Sequence, residues 1–118
     1  MPRDVLQSPW QFRLVYQNGK KVNCKHAVLF YHETGEPGTA PLFGVVASKR
    51  VGGAVERNRA KRLLREAARD TANRLTRRDL WVVLVAKKSI LGCSSQDVSW
   101  DLQTVMMGEG LIRGRTSA

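Results

Sequence analysis

A run of basic residues between positions 49 and 78 is the feature of this sequence best suited to binding a charged ligand. Eleven of these residues are Lys or Arg and three are Asp or Glu, so they supply most of the net charge of +10 of the 118-residue chain. Like charges repeated at helical spacing destabilise an isolated helix, so we expect a polyanion to compensate. The positions that recur in this way on one predicted helix face are Asn58, Arg62, Arg65 and Arg69.

The start of the same segment has the composition of a phosphate site. Gly52 and Gly53 precede the predicted helix and allow the backbone to turn sharply and approach a ligand closely. Arg57 and Arg59 fall in the first turn, although the partial positive charge of a helix N-terminus disfavours cations there. Free N–H groups at that position bind phosphates. Arg outnumbers Lys 13 to 7 in the chain and forks onto phosphate, which favours a nucleic acid over a merely solvated surface.

Residues for self-contained catalysis are sparse. His26 and His32 are six apart on a predicted strand and would face the same side, but such alternation is weak evidence for a catalytic pair. The ten acids are scattered without a D-x-D motif, which disfavours a metal-dependent nuclease. Cys24 and Cys93 form no C-x-x-C motif, so we expect two reduced thiols. A membrane-surface helix is also disfavoured, because the apolar face of the basic helix is rich in Ala.

Helices and strands alternate around the basic segment. The expected order is helix 8–17, strand or hairpin 22–32, loop 33–41, central strand 42–49, helix 55–75, strand 80–87, helix 94–107 and a flexible tail over 108–118. The predicted buried stripe of the main helix is Ala60, Leu63, Leu64, Ala67, Ala68, Thr71 and Leu75. Two buried strands joined by a helix form a parallel β-α-β unit, so we predict one domain over 1–118 with a two-layer α/β (α+β) sandwich fold. The longest apolar run, 80–86, is too short to span a bilayer.

The segment KRVGGAVERNRAKRLLRE, residues 49–66, resembles the signature G-x-A-V-x-R-N-R-x-K-R-x-x-R-E of the bacterial ribonuclease P protein subunit. Weaker resemblance extends from QFRLVYQNGKKV at 11–22 to VVLVAKK at 82–88. The last helix departs from the family pattern, because it is short and carries no base. The matching positions are Gly52, Ala54, Val55, Arg57, Asn58, Arg59, Lys61, Arg62, Arg65 and Glu66.

The resemblance implies a ribosomal-protein-S5-domain-2-like fold with a mixed sheet and a left-handed β-α-β crossover, whereas general rules alone predict a right-handed one. It implies an accessory subunit that binds the catalytic RNA of ribonuclease P and precursor tRNA, and assists removal of the 5′ leader. The catalytic groups and Mg²⁺ would belong mainly to the RNA, and no metal ligand is assigned on this chain. A monomeric cytoplasmic protein, one per RNA, is expected. The alternative is a structural RNA-binding protein such as a ribosomal protein, which only the R-N-R signature disfavours.

Two groups of site residues follow from the charge pattern and the resemblance. The expected RNA contacts are Lys49, Arg50, Arg57, Asn58, Arg59, Lys61, Arg62, Arg65 and Arg69. A cleft between the first helix and the sheet would take the single-stranded leader, with Phe12, Tyr16 and Phe30 at the matching positions. Aromatic stacking tolerates any base and so suits a leader of variable sequence. The alternative, that these three rings pack in the core, carries equal weight, and one ring can do both.

Overall fold

The computed structural model describes residues 6, 8–36 and 40–113. Ser8 precedes the first helix, and its N–H donates to Gln11 Oε1 at 3.1 Å, as expected at a helix start. Ser94 caps the last helix, because its hydroxyl accepts from the Asp97 N–H at 3.2 Å. The elements are α1 Pro9–Asn18, β1 Lys20–Asn23, β2 Ala27–Glu33, β3 Leu42–Val46, α2 Ala54–Ala72, β4 Leu80–Ala86, a 3-10 helix Lys88–Gly92 and α3 Ser95–Gly108.

The strands form one mixed sheet in the order β1-β2-β4-β3. Strands β3 and β4 are parallel and are joined by α2, which confirms the predicted β-α-β unit. The remaining two pairings are antiparallel. The prediction that the strand at 42–49 is central was wrong, since β3 lies at the edge and ends at Val46. Its apolar residues are covered by helices on both faces, and the Leu6 N–H donates to Phe43 O at 3.1 Å along the edge.

Helices cover both faces of the sheet, because its strands alternate apolar side chains between two cores. Leu29, Val82 and Leu84 face α2 and α3 in the larger core. Val83 faces the other way and packs with Val15 of α1. The predicted α/β fold with a mixed sheet is therefore confirmed, but the sheet has helices on both faces, because α1 covers the face opposite to the basic helix and adds a third layer to the predicted two.

Helix α2 buries the predicted apolar stripe from Ala60 to Thr71, and it ends at Ala72, three residues before the predicted end. Leu75, which was expected in the helical stripe, instead forms an antiparallel bridge with Ile112. The Leu75 side chain is partly buried and packs against the larger core.

The predicted strand or hairpin at 22–32 is a hairpin. Strands β1 and β2 are joined by a turn at residues 24–26, in which the Cys24 N–H donates to Ala27 O at 2.8 Å. The prediction that His26 and His32 share a strand was therefore wrong. His26 lies in the turn, with its Nδ1 atom 2.9 Å from Ser89 Oγ, whereas His32 lies on β2.

The chain after α3 folds back onto the domain. Gly110 has a φ of 75°, a left-handed conformation that favours glycine, and it is followed by buried Leu111 and Ile112. The Thr76 N–H donates to Leu111 O at 2.9 Å. The prediction of a flexible tail from residue 108 was thus wrong for 108–113, because two apolar side chains bury there. Residues 114–118 lie outside the described residues.

Candidate nucleic-acid interface

Several basic residues meet at one end of the sheet. The parallel strands β3 and β4 end side by side, since Val46 pairs with Val85. Strand β2 begins at the same end, because Ala27 pairs with Ala86. Helix α2 also starts on this side, shortly after β3. We call this region the basic end of the sheet, and its cations are Lys25, Lys49, Arg50, Lys87 and Lys88.

The start of α2 is shaped by two glycines. Gly52 has a φ of 151°, and a Cβ atom there would lie 2.9 Å from the Cβ atom of Glu56, so a side chain would be both strained and crowded. Gly53 caps the helix without a side-chain hydrogen bond, and its carbonyl accepts from the Arg57 N–H at 2.9 Å. The N–H groups of the first turn therefore receive no side-chain cap from Gly53.

The predicted basic residues of α2 occupy different sides of the helix. At 100° per residue, Arg57 and Lys61 lie on one side of the row of exposed residues that runs from Asn58 to Arg69. Arg59 lies on the other flank, at the helical angle of Glu66 and Asp70. The R-N-R motif is therefore split, with its first Arg joined to a purely basic surface and its second beside acids. The exposed residues opposite the buried stripe are Asn58, Arg62, Arg65 and Arg69.

The basic surface of α2 lacks internal compensation. Within the described residues, the ion pairs are Lys20–Glu109, Arg77–Glu33 and Arg77–Asp79, and none involves a cation between 49 and 69. Arg74 is also used internally, because its guanidinium donates to Gln103 Oε1 at 2.7 Å. The predicted site cations thus remain available to an external anion, whereas these two later arginines support the fold.

An apolar cleft lies on the opposite face, between α1 and the sheet. It has a volume of about 420 Å³ and is lined by Pro9, Phe12, Arg13, Tyr16 and Val46. The exposed Tyr16 ring sits edge-on to Phe30, with ring centroids 4.9 Å apart. Burial raises the pKa of the Tyr16 phenol, so its hydroxyl stays a neutral hydrogen-bond donor.

The three predicted cleft aromatics lie close together, but only Phe12 and Tyr16 line the cleft, whereas Phe30 contacts the Tyr16 ring and packs in the smaller core. Phe12 and Phe30 are half-buried and pack around the fully buried Val15 and Val83. Phe12 can lie against β3 because Gly44 has no side chain: a Cβ atom there would be 2.7 Å from the Phe12 ring. Both alternatives for these rings are therefore compatible with their positions.

The sequence did not single out several residues of these two surfaces. Lys25 is far in sequence from Lys87 and Lys88 and joins them only when β2 and β4 pair. Arg13 could have been found, because it precedes Tyr16 by three positions and so shares its helix face. Val46 gave no signal beyond that of an ordinary strand residue.

Several titratable groups outside these surfaces form structural contacts. Asp70 accepts from the Ser99 hydroxyl at 2.8 Å, and Glu109 accepts from the Tyr31 hydroxyl at 2.9 Å. The Arg77 guanidinium lowers the pKa of Asp79 to about 2. In the part of the chain that the structure describes, no three His, Cys, Asp or Glu residues cluster as metal ligands would. The same part contains no helix that combines the length and apolar composition needed to cross a bilayer.

Comparison with known proteins gives a consistent result. The family model described as Ribonuclease P matches residues 1–108. The ribonuclease P protein component of Symbiobacterium thermophilum is 32% identical over 108 residues, which cover 92% of this chain and 92% of that protein. The ribonuclease P protein component of Fusobacterium nucleatum is 30% identical over 113 residues, which cover 92% of this chain and 99% of that protein.

Solved structures agree on the fold. The RNase P protein from Staphylococcus aureus superposes with a TM-score of 0.79 at 19% identity, covering 95% of this chain and 100% of that one. The RNase P protein from Thermotoga maritima gives a TM-score of 0.76 at 22% identity, again covering 95% of this chain and 100% of that one.

Proposed function

Because the chain belongs to the ribonuclease P protein family, we propose that it binds the catalytic RNA of ribonuclease P and assists it in removing the 5′ leader from precursor tRNA. The observation that carries this proposal is the basic surface of α2, whose cations have no anionic partner among the described residues. A phosphate backbone supplies the missing charge, and the release of its counterions favours binding.

The RNA contacts are assigned to the surface that runs from the basic end of the sheet along α2. Its exposed arginines have the planar fork that matches two phosphate oxygens. Asn58 lies in the same row and offers its amide to a phosphate or a base edge. Arg59 contacts RNA from the other flank, where Glu66 restricts how closely a phosphate can approach. The assigned residues are Lys49, Arg50, Arg57, Asn58, Arg59, Lys61, Arg62, Arg65 and Arg69.

The leader is assigned to the cleft on the α1 face. Its apolar wall of Phe12 and Val46 provides a surface for a base, and Tyr16 adds an exposed ring with a neutral hydroxyl donor. Stacking on aromatic rings contributes about 1–3 kcal/mol per base with little sequence preference. Arg13 at the rim pairs with the phosphate of the same strand.

The chemistry of cleavage is assigned to the RNA. Among the described residues, no three His, Cys, Asp or Glu side chains converge, and Asp70 and Glu109 accept hydrogen bonds within the protein. We therefore place Mg²⁺ mainly on the RNA of the assembled enzyme and give the protein the roles of binding and orienting the substrate. One monomer per RNA, in the cytoplasm, is the stoichiometry and location that we propose.

The test is cleavage of a 5′-extended precursor tRNA by a bacterial ribonuclease P RNA at low Mg²⁺, with and without the protein. We expect the protein alone to be inert and the mixture to cut at the mature 5′ end. Cleavage by the protein alone would place the chemistry on this chain. Binding to the RNA without any effect on cleavage would instead support a structural RNA-binding protein.

The residue assignment is tested by the salt dependence of RNA binding. Each lost phosphate contact lowers the slope of log K against log salt by about 0.7–0.9. We expect this change for Arg62→Ala and for Arg65→Ala. The matched control is Lys20→Ala. Lys20 forms an ion pair with Glu109, and it lies away from the basic end of the sheet, because it is opposite Tyr31 towards the other end of β2. Equal losses in all three variants would refute the assignment to α2.

A further inference from the structure

The turn at residues 24–26 and the 3-10 helix after β4 form one structural unit at the basic end of the sheet. The Lys87 N–H donates to His26 O at 3.0 Å, and the Lys87 ammonium donates to Cys24 O at 2.7 Å. His26 Nδ1 lies 2.9 Å from Ser89 Oγ, which joins the turn to the 3-10 helix. Lys87 is thereby used inside the protein, and the two segments hold each other in place.

A single carboxylate on α3 fixes the orientation of this turn. Asp101 Oδ1 accepts from the Lys25 N–H at 2.9 Å, and Asp101 Oδ2 accepts from the His26 N–H at 2.8 Å. Hydrogen bonds to a charged acceptor are stronger than neutral ones, and two of them on separate oxygens restrain rotation as well as position. The turn is thus held by a residue that is distant in sequence.

Two cations remain free on this unit. Lys25 and Lys88 are exposed, and neither forms an ion pair within the described part of the chain. Two acids of α3 lie near Lys25. The oxygens of Asp101 accept backbone N–H groups and hold the turn. The carboxylate of Asp97 accepts from the Ser94 N–H at the start of α3, and the nearby Lys25 charge helps to lower its pKa. Exposed Ser89 stands next to Lys88 and offers a hydroxyl to the same side as the His26 ring.

The position of these cations links them to the RNA surface already described. The turn precedes β2, and the 3-10 helix follows β4, which lies between β2 and β3. Neighbouring strands are about 4.8 Å apart, so the chain ends at β2 and β3 are separated by roughly 10 Å. One RNA strand can therefore contact this unit and also Lys49 and Arg50 after β3.

We propose that Lys25, Lys88 and Ser89 form a second phosphate-binding surface for RNA, and that Asp101 positions it. The inference rests on the proposed RNA-binding function and adds a contact region outside α2 and outside the aromatic cleft. Asp101 touches no RNA in this proposal and acts only through the turn.

The first experiment measures binding of the full-length protein to a bacterial ribonuclease P RNA as the KCl concentration is varied. For the double variant Lys25→Ala and Lys88→Ala, we expect the salt slope to fall by about 1.4–1.8, the sum of two contacts. Lys20→Ala is the control for the loss of one positive charge at the other end of the sheet. A double variant with the slope of the unchanged protein would overturn the proposal. If the unchanged protein itself neither binds the RNA nor promotes cleavage, the proposed function fails instead.

The second experiment uses the sign of the effect at Asp101. Removing a negative charge near a phosphate site strengthens RNA binding if the charge acts only through its field. Asp101→Asn leaves one acceptor for two N–H donors, so the turn loses its positioning and RNA binding weakens. We expect the affinity for the RNA to fall about three- to tenfold, within the usual range of coupling energies. Adding it to the lysine double variant should then have little further effect. Tighter or unchanged RNA binding by Asp101→Asn would refute the positioning role. If this variant folds poorly, the lysine variants still test the phosphate-binding surface, because their substitutions lie at exposed sites.

Discussion

Replacing Gly44 by Ala tests the packing that shapes the aromatic cleft. A Cβ atom at Gly44 would lie 2.7 and 2.8 Å from two ring carbons of Phe12, and 3.2 Å from the Leu6 Cβ atom. Ordinary carbon contacts are about 3.5–4.0 Å, so the ring would have to retreat by roughly 1 Å. Phe12 belongs to α1, whose buried Val15 restrains that movement.

Two opposing effects set the magnitude. Gly→Ala stabilises a protein by about 0.4–1 kcal/mol where the backbone tolerates it, because the unfolded chain loses freedom. Overpacking a core costs about 1–3 kcal/mol. We expect overpacking to prevail at Gly44 and to lower the free energy of unfolding by about 1–2 kcal/mol. Gly92→Ala is the matched control, since nothing lies within 4 Å of the new Cβ atom, and it should be neutral or slightly stabilising.

Urea unfolding of the four proteins of a double-mutant cycle measures this effect. Phe12→Leu removes the ring atoms that clash, so it should cost less in the Gly44→Ala background than alone, with a coupling of at least about 1 kcal/mol. Binding of a single-stranded leader oligonucleotide to Gly44→Ala should weaken in parallel. A Gly44→Ala protein as stable as the Gly92→Ala control, or additive costs in the cycle, would show that Phe12 does not pack on β3 as described.

Three further predictions concern the remainder of the fold. Asp79 has a pKa of about 2 in the folded protein, against 3.8 ordinarily, so it contributes stability above about pH 4 that is lost as the pH falls towards 2. Asp79→Asn should therefore flatten the acid limb of unfolding free energy against pH, and an unchanged limb would refute the pairing with Arg77. Leu111→Ala should lower the free energy of unfolding by about 2–4 kcal/mol in urea, because its buried side chain would leave a cavity; a loss below about 0.5 kcal/mol, typical of surface positions, would indicate a frayed tail. Burial and nearby Asp101 raise the pKa of the Cys24 thiol to about 12, so a thiol reagent at pH 8 should modify Cys24 in a Cys93→Ser protein far more slowly in the native state than in urea. Equal rates would show that the thiol is exposed.

The main helix and its charge could be predicted from the sequence because their signals are local. Residues at helical spacing repeat over several turns of α2, and Gly52 and Gly53 mark its start. The caps of α1 and α3 were also local, since Ser8 and Ser94 act within three residues of their own positions. The family signature lies in the same stretch, which is why the function could be predicted from the sequence.

The predictions that failed depended on partners distant in sequence. The edge position of β3 is set by which strand pairs with β4, and an apolar run alone does not reveal that choice. Leu75 and Ile112 meet across thirty-odd residues, so neither the helix end nor the folded C-terminal segment had a local sign.

The sequence by itself determined that the chain carries a basic helix preceded by two glycines, because composition and periodicity are properties of neighbouring residues. Only the tertiary structure decided which charges share a surface. Arg57 and Arg59 are two residues apart yet lie on different flanks of α2, since a helix turns 100° per residue. Lys25 and Lys88 are far apart in the chain yet lie at one end of the sheet, because hydrogen bonding between β2 and β4 brings their segments together.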